Sequence, residues 1–112
     1  MNQQVLLDIR GALATLTLNR PQAMNALGLE MGQAFLARVE ELQNAQGVKV
    51  VVVTGAGDHF MAGGDIKEFH SMVKELPEAR ERAFGQLIGE LINPAVEILR
   101  ALRKHVTCLY TN

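Results

Sequence analysis

Hydrophobic and polar residues recur along this chain with two different periods. Between residues 5 and 18 the period is two. Residues 5–9 (Val-Leu-Leu-Asp-Ile) read as a short strand, Arg10-Gly11 as a turn, and residues 12–18 (Ala-Leu-Ala-Thr-Leu-Thr-Leu) as a second strand. In it Leu16 and Leu18 share one face, and Thr15 and Thr17 take the other. Two such runs around a glycine turn predict a hairpin. Asn19-Arg20-Pro21 ends it, because proline lacks the N–H a ladder needs and restricts the residue before it.

Over residues 28–44 the period lengthens to that of a helix. Leu27, Met31, Phe35, Val39 and Leu42 form one apolar stripe, with Glu30, Gln33, Arg38, Glu41 and Gln43 on the wet side. Gly28 and Gly32 each weaken such a helix by about 1 kcal/mol relative to alanine, and each permits close packing. Residues 48–54 (Val-Lys-Val-Val-Val-Val-Thr) have no polar face across four valines, which predicts a strand buried on both sides in a parallel sheet. A helix between two strands predicts a parallel crossover. From Ile66 the pattern is helical again, with Ile66, Phe69, Met72 or Val73, and Leu76 on one face. Pro77 starts a further helix at its first turn. Phe84, Leu87, Ile88 and Leu91 continue the stripe, Pro94 marks a kink, and Val96, Leu99, Leu102 and Arg103 follow. Residues 106–110 read as a last strand. The result is an α/β domain with a helical C-terminal half.

Composition narrows the classes. The chain has 112 residues, enough for one domain; apolar residues make up 48% and charged residues 21%, as in a folded protein. A net charge of −1 gives no nucleic-acid footprint. No apolar run is long enough for a membrane span, and the opening Met-Asn-Gln-Gln lacks the features of a secretion signal. A cytoplasmic location is expected. The single cysteine, Cys108, excludes an internal disulfide, and no metal site is expected. Aromatics are 4%, so the core is aliphatic.

The chemistry concentrates in Phe60-Met61-Ala62-Gly63-Gly64-Asp65-Ile66-Lys67-Glu68, after a buried strand and at the start of a helix. Two glycines let a ligand approach the backbone. Asp65 can cap the helix. N–H groups around Gly63 and Gly64 then favour an anion or a developing oxyanion. The same residues also suit an ordinary glycine-rich strand–loop–helix turn. A phosphate loop is excluded because Gly-x-x-x-x-Gly-Lys-Ser/Thr is absent; a dinucleotide fingerprint fails because Phe60 stands where Gly55-x-Gly57 would need its third glycine.

Three blocks resemble the crotonase superfamily, the enoyl-CoA hydratase/isomerase family: Leu18-Asn19-Arg20-Pro21 with Met24-Asn25-Ala26-Leu27; Val50-Val51-Val52-Val53-Thr54-Gly55; and His59 through Glu68. The resemblance covers residues 5–106. It implies a crotonase-like spiral of strand-strand-helix turns, here truncated: one domain over 1–112, with a strand/helix core and coenzyme A loops in 5–65, a helical segment in 66–105 and a short tail in 106–112. It also implies an acyl-CoA thioester ligand whose carbonyl oxygen meets the Gly64 backbone N–H. Gln22, Ala23, Met24 and Ala26 resemble the loop over the adenine end of coenzyme A, and Ala62, Gly63, Asp65, Ile66 and Lys67 the facing wall. The implied setting is lyase or isomerase chemistry of fatty acid metabolism, with no permanently bound cofactor.

The family's second oxyanion donor and its catalytic acids find no counterpart. His105 stands where the family has proline, and no glycine-rich segment follows. Little or no turnover by this chain alone is therefore expected. The alternatives are a non-catalytic acyl-CoA-binding or interaction module and a truncated gene product. An open sheet edge and an uncovered apolar face predict a homo-oligomer, dimer or larger. The other candidates have plainer readings. Asp58-His59 is a solvated turn pair, His70 a surface residue, His105 a helix-end group and Cys108 a buried small hydrophobe. Glu78 to Arg82 is a solvated face, and Met24, Met31, Met61 and Met72 are packing residues.

Overall fold

The structure is a computed structural model that describes residues 3–72, 77–102 and 105–109. Strands β1 (Val5–Arg10) and β2 (Leu13–Leu18) form the expected hairpin, antiparallel from Val5↔Leu18 to Arg10↔Leu13. Gly11 turns the chain at φ +60°, a conformation that favours glycine. Helix α1 (Leu29–Leu42) then crosses over to β3 (Val50–Gly55), which lies parallel to β2 in the register Leu13↔Val50 to Leu18↔Gly55. After α2 (Ile66–Met72) and α3 (Pro77–Gly85) come a π-helical segment (Gln86–Ile92) and α4 (Asn93–Ala101). Strand β4 (His105–Leu109) returns parallel to β3, completing a sheet of order β1-β2-β3-β4.

One face of the sheet makes the core. Val5, Ala14, Leu16, Leu18, Val51 and Val53 point to it and are buried. Met31, Ala34, Val39 and Leu42 of α1 and Ala95 of α4 pack against them. Burying each of the larger aliphatic side chains is worth about 1.5–3 kcal/mol. The helical stripe of α1 is as expected, with Leu27 and Phe35 partly buried at its margin. Gly32 is a notch in that helix: a Cβ there would lie 2.7 Å from Leu87 Cδ1 and 3.3 Å from Leu91 Cδ1, so its absence lets the π segment seat against α1.

Four expectations need correction. His105, expected at a helix end, is the first residue of β4, paired with Val50. The valine strand is buried on one face only. Val51 and Val53 are buried against the core helices, while Val50 and Val52 point to the opposite face and are half-buried. Ile88 was expected on the apolar stripe and is 47% exposed. The wider π turn carries Leu87 and Leu91 to α1 and leaves Ile88 outside. Val96 is 40% exposed, and the neighbouring Ala95 makes the core contact instead. Pro94 sits in the first turn of α4, where its missing N–H costs nothing; the helix there changes from π to α. Val73, Leu76, Arg103 and Tyr110, named in the expected stripes and last strand, lie outside the described residues. The Cys108 backbone lies in register with Val53 on β4.

Candidate ligand cleft

Two loops at the C-terminal ends of β2 and β3 build the site. In the first, Pro21 opens a 3-10 turn (Pro21–Ala23), and Met24 and Asn25 follow with φ +54° and +56°. Two successive left-handed residues are unfavourable unless something fixes them, and asparagine tolerates that conformation better than most residues. The anchor is Asn25, which has no exposed surface. Its Oδ1 accepts the Arg20 N–H at 2.7 Å, and its Nδ2 donates to the carbonyls of Ala56 (3.0 Å) and His59 (2.7 Å). One side chain thus ties the first loop to the second. Gly55 allows the second loop to fold back closely: a Cβ there would lie 2.2 Å from the His59 carbonyl oxygen.

The second loop runs alongside the first. The Ala62 N–H donates to the Met24 carbonyl (3.0 Å), the Leu27 N–H to the Gly63 carbonyl (2.7 Å) and the Asp65 N–H to the Leu27 carbonyl (2.9 Å). Leu27 and Gly64 are therefore partners in a parallel bridge. In such a bridge the bonds go to the residues on either side of Gly64, so its own N–H points away from Leu27. No described residue accepts it. Gly63 makes the turn with φ +120°.

Asp65 caps α2 as expected: its Oδ1 accepts the Glu68 N–H at 3.1 Å. Its other oxygen pairs with Arg20 Nη1. The Arg20 hydrogen bond holds the Asp65 carboxyl below its ordinary pKa. Burial pushes the other way, and the Glu68 and Lys67 N–H groups and the Arg20 charge add to the lowering. Asp65 is only 6% exposed and both its oxygens are engaged within the chain. It shapes the wall rather than offering a group to a ligand.

Between the loops lies a cleft of about 500 Å³ lined, among the described residues, by Arg20, Gln22, Ala23, Met24, Ala26, Ala62, Gly64, Asp65 and Lys67. Eight of the ten residues singled out from the sequence meet there. Gly63 contributes through its carbonyl, and Ile66 begins α2. Met24, read both as a packing residue and as part of the coenzyme loop, is 49% exposed at the cleft. Arg20, Asn25 and Glu68 were not singled out. The available signals were an arginine directly before proline and an asparagine, a tolerant left-handed residue, in a tight loop. A second cavity of about 330 Å³ lies across the same segment, with a wholly apolar lining that includes Leu27, Phe35, Phe60, Met61, Ile92, Val96 and Leu99. Phe60 and Met61 border it, whereas Ala62 and Gly64 border the first cleft. Among the described residues, no cluster of three or more His, Cys, Asp or Glu side chains could hold a metal ion. No described helix is long and apolar enough to cross a membrane.

A parallel crossover, a glycine turn carrying an outward N–H and a cleft shared by two loops make an α/β unit with a candidate site at the ends of its strands. The sequence model of the enoyl-CoA hydratase/isomerase family matches residues 13–98, and the chain belongs to that family. It is 35% identical over 96 residues to the short-chain-enoyl-CoA hydratase of Clostridium acetobutylicum, covering 85% of this chain and 35% of that protein. It is 34% identical over 87 residues to the small ribosomal subunit protein mS47 of Schizosaccharomyces pombe, covering 76% of this chain and 20% of that protein. Among solved structures, an enoyl-CoA hydratase/carnithine racemase from Magnetospirillum magneticum superposes with a TM-score of 0.80 at 31% identity, over 97% of this chain and 39% of that one. The crotonase-like fold expected from the three blocks is thereby established. The chain spans about a third of the hydratase it matches.

Proposed function

We propose that this chain binds an acyl-CoA thioester, with the coenzyme in the cleft between residues 20–26 and 62–67 and the thioester oxygen on the Gly64 N–H. The observation that carries this reading is that the two segments named by the family resemblance, 22–26 and 62–67, line one cleft beside a backbone N–H with no acceptor among the described residues. With Arg20 paired to Asp65, Lys67 is the cation of the cleft that suits an anionic coenzyme. The apolar cavity behind Phe60 and Met61 suits the acyl chain. A backbone donor aimed at a developing enolate oxygen is worth about 3–4 kcal/mol in other enzymes.

The same geometry argues against proton transfer by the described residues. Asp65 is the one carboxylate among those lining the cleft, and it is held as an anion by Arg20. The chain accordingly binds and polarises, and turnover of crotonyl-CoA by it alone should fall far below that of a full-length hydratase. No cofactor is held permanently; the thioester is the ligand.

The test is a calorimetric titration with crotonyl-CoA and with the matching S-alkyl-CoA thioether, which lacks the carbonyl oxygen. The thioester should bind about tenfold more tightly, as loss of one hydrogen bond implies. Absence of binding at millimolar ligand overturns the reading. It would favour instead a non-catalytic interaction module, a use that the resemblance to a ribosomal protein makes concrete. Self-association belongs to the same proposal. The face of the sheet opposite the core exposes Leu6 and Leu13, and the strand order leaves β1 and β4 at its edges. Sedimentation should show a dimer or larger; a monodisperse monomer removes this part.

A further inference from the structure

We infer that Glu68 is a positioning residue: through the first turn of α1 it fixes the Leu27–Gly64 bridge and hence the direction of the Gly64 N–H. Three observations meet here. Helix α1 is preceded by Gly28, which has no side chain to accept the first free N–H groups. Glu68, from the first turn of α2, supplies the missing acceptor: its Oε1 accepts the Leu29 N–H at 3.2 Å, across 39 residues of sequence. A carboxylate is favoured at that end of a helix. Gly28 in turn makes room for it, since a Cβ there would lie 2.0 Å from Glu68 Oε2 and 3.1 Å from Glu68 Cδ. Gly28, expected inside the helix as a weak point, is instead the extended residue before it and the seat of the carboxylate that caps it.

The consequence for the cleft follows from chain distance. Leu29 is two residues after Leu27, and Glu68 is four after Gly64. The Leu29–Glu68 bond therefore closes a ring with the two Leu27 bonds to Gly63 and Asp65. The Glu68 N–H itself donates to Asp65 Oδ1, and Asp65 is pinned by Arg20. With the ring closed, the peptide carrying the Gly64 N–H cannot turn without breaking one of these bonds. With it open, segment 27–29 is held to the second loop on one side only. A merely structural Glu68 would stabilise α1 and leave the Gly64 peptide where it is.

That this direction matters for a thioester rests on the function proposed above, so the experiment has an arm without ligand. In the nitrogen-15-labelled chain, amide exchange and the Gly64 amide signal are compared for wild type, Glu68→Ala, Glu68→Asp, Glu68→Gln and Gly28→Ala. Glu68→Asp keeps the charge and shortens the reach; Glu68→Gln keeps the acceptor. Expected is about tenfold faster exchange at Leu27 and Asp65 relative to Val51 and Val53, with a moved Gly64 signal, in the Ala, Asp and Gly28 variants and not in Glu68→Gln. An unmoved Gly64 signal and unchanged exchange in whichever of Glu68→Ala and Glu68→Asp folds overturns the inference. In the second arm, crotonyl-CoA affinity should fall in those variants and recover in Glu68→Gln. Failure of the wild type to bind would count against the proposed function, while the amide arm would still decide the role of Glu68.

Discussion

The paired loops 20–29 and 60–68 and the helices of residues 77–101 are held to the same sheet by different means. In the loops, polar groups far apart in sequence have assigned partners: Arg20 with Asp65, Asn25 with Ala56 and His59, Glu68 with Leu29. In the helices, the side-chain hydrogen bonds among the described residues are local and exposed, as between Arg82 and the Glu78 carbonyl or Arg100 and Glu97. What joins that region to the rest is apolar: Leu87 and Leu91 over Gly32, and Ala95, Ile98 and Leu99 against the core. Directional bonds fix atoms to tenths of an ångström, while apolar contact rewards burial and tolerates sliding. The π turn at Gln86–Ile92 is the kind of irregularity such packing accepts. The region bonded by polar ties is the one that carries the cleft.

Four substitutions can break or sharpen this contrast. Asn25→Ala should have the largest effect. It removes three hydrogen bonds from a fully buried site and leaves a left-handed residue without its anchor, for a loss of about 4 kcal/mol in urea unfolding. A loss under about 1 kcal/mol would show that the loops are held by something else. Leu87→Ala should cost about 3 kcal/mol as a cavity opens beside Gly32. It should leave crotonyl-CoA affinity unchanged, because Leu87 lines neither the cleft nor the apolar cavity. A large change in affinity would erase the distinction between the two regions.

Acid should act on the loops. The Asp65 carboxyl is held below its ordinary pKa in the folded chain, chiefly by Arg20, so the unfolded chain takes up its proton at the higher pH. The stability from this group is complete above the unfolded carboxylate value of about 3.9 and is lost as pH falls through the lowered folded one. Arg20→Met should remove most of that acid loss while lowering stability at neutral pH by about 2 kcal/mol, part of the cost of orphaning a mostly buried partner. Parallel pH profiles for the two proteins would refute the assignment. The smallest effect belongs to the helical surface. Arg100→Ala breaks a pair whose side chains are 75% and 72% exposed, and thermal unfolding should register less than about 0.5 kcal/mol.

Local pattern was enough for the elements. Alternation over residues 5–18 marks the hairpin, the stripe from Leu27 to Leu42 marks α1, and Pro77 marks the start of α3, because each reflects contacts within a few residues or a uniform inside and outside. The motif blocks also gathered most of the cleft wall, since the loops that form it are short and directly follow strands. Pattern failed where neighbours decide. Ile88 has the hydrophobicity of a core residue, yet the π turn leaves it outside, and Val96 borders the apolar cavity while Ala95 takes the core contact. Val50 and Val52 look like their neighbours Val51 and Val53, yet the core residues of α1 and α4 pack on the face that holds Val51 and Val53.

The sequence by itself therefore determined the order of strands and helices, the parallel crossover and the glycine turn at Gly63-Gly64, because backbone conformation and hydrophobic periodicity are local properties. The tertiary structure alone decided the partners of Arg20, Asn25 and Glu68, and with them the direction of the Gly64 N–H. Apart from the local bond between the Arg20 N–H and Asn25 Oδ1, these partners lie more than 30 residues away, and the parallel register of β2 with β3 is what brings the two loops to one edge of the sheet. A polar side chain carries no mark of which distant group it will meet; that depends on where the packed strands end.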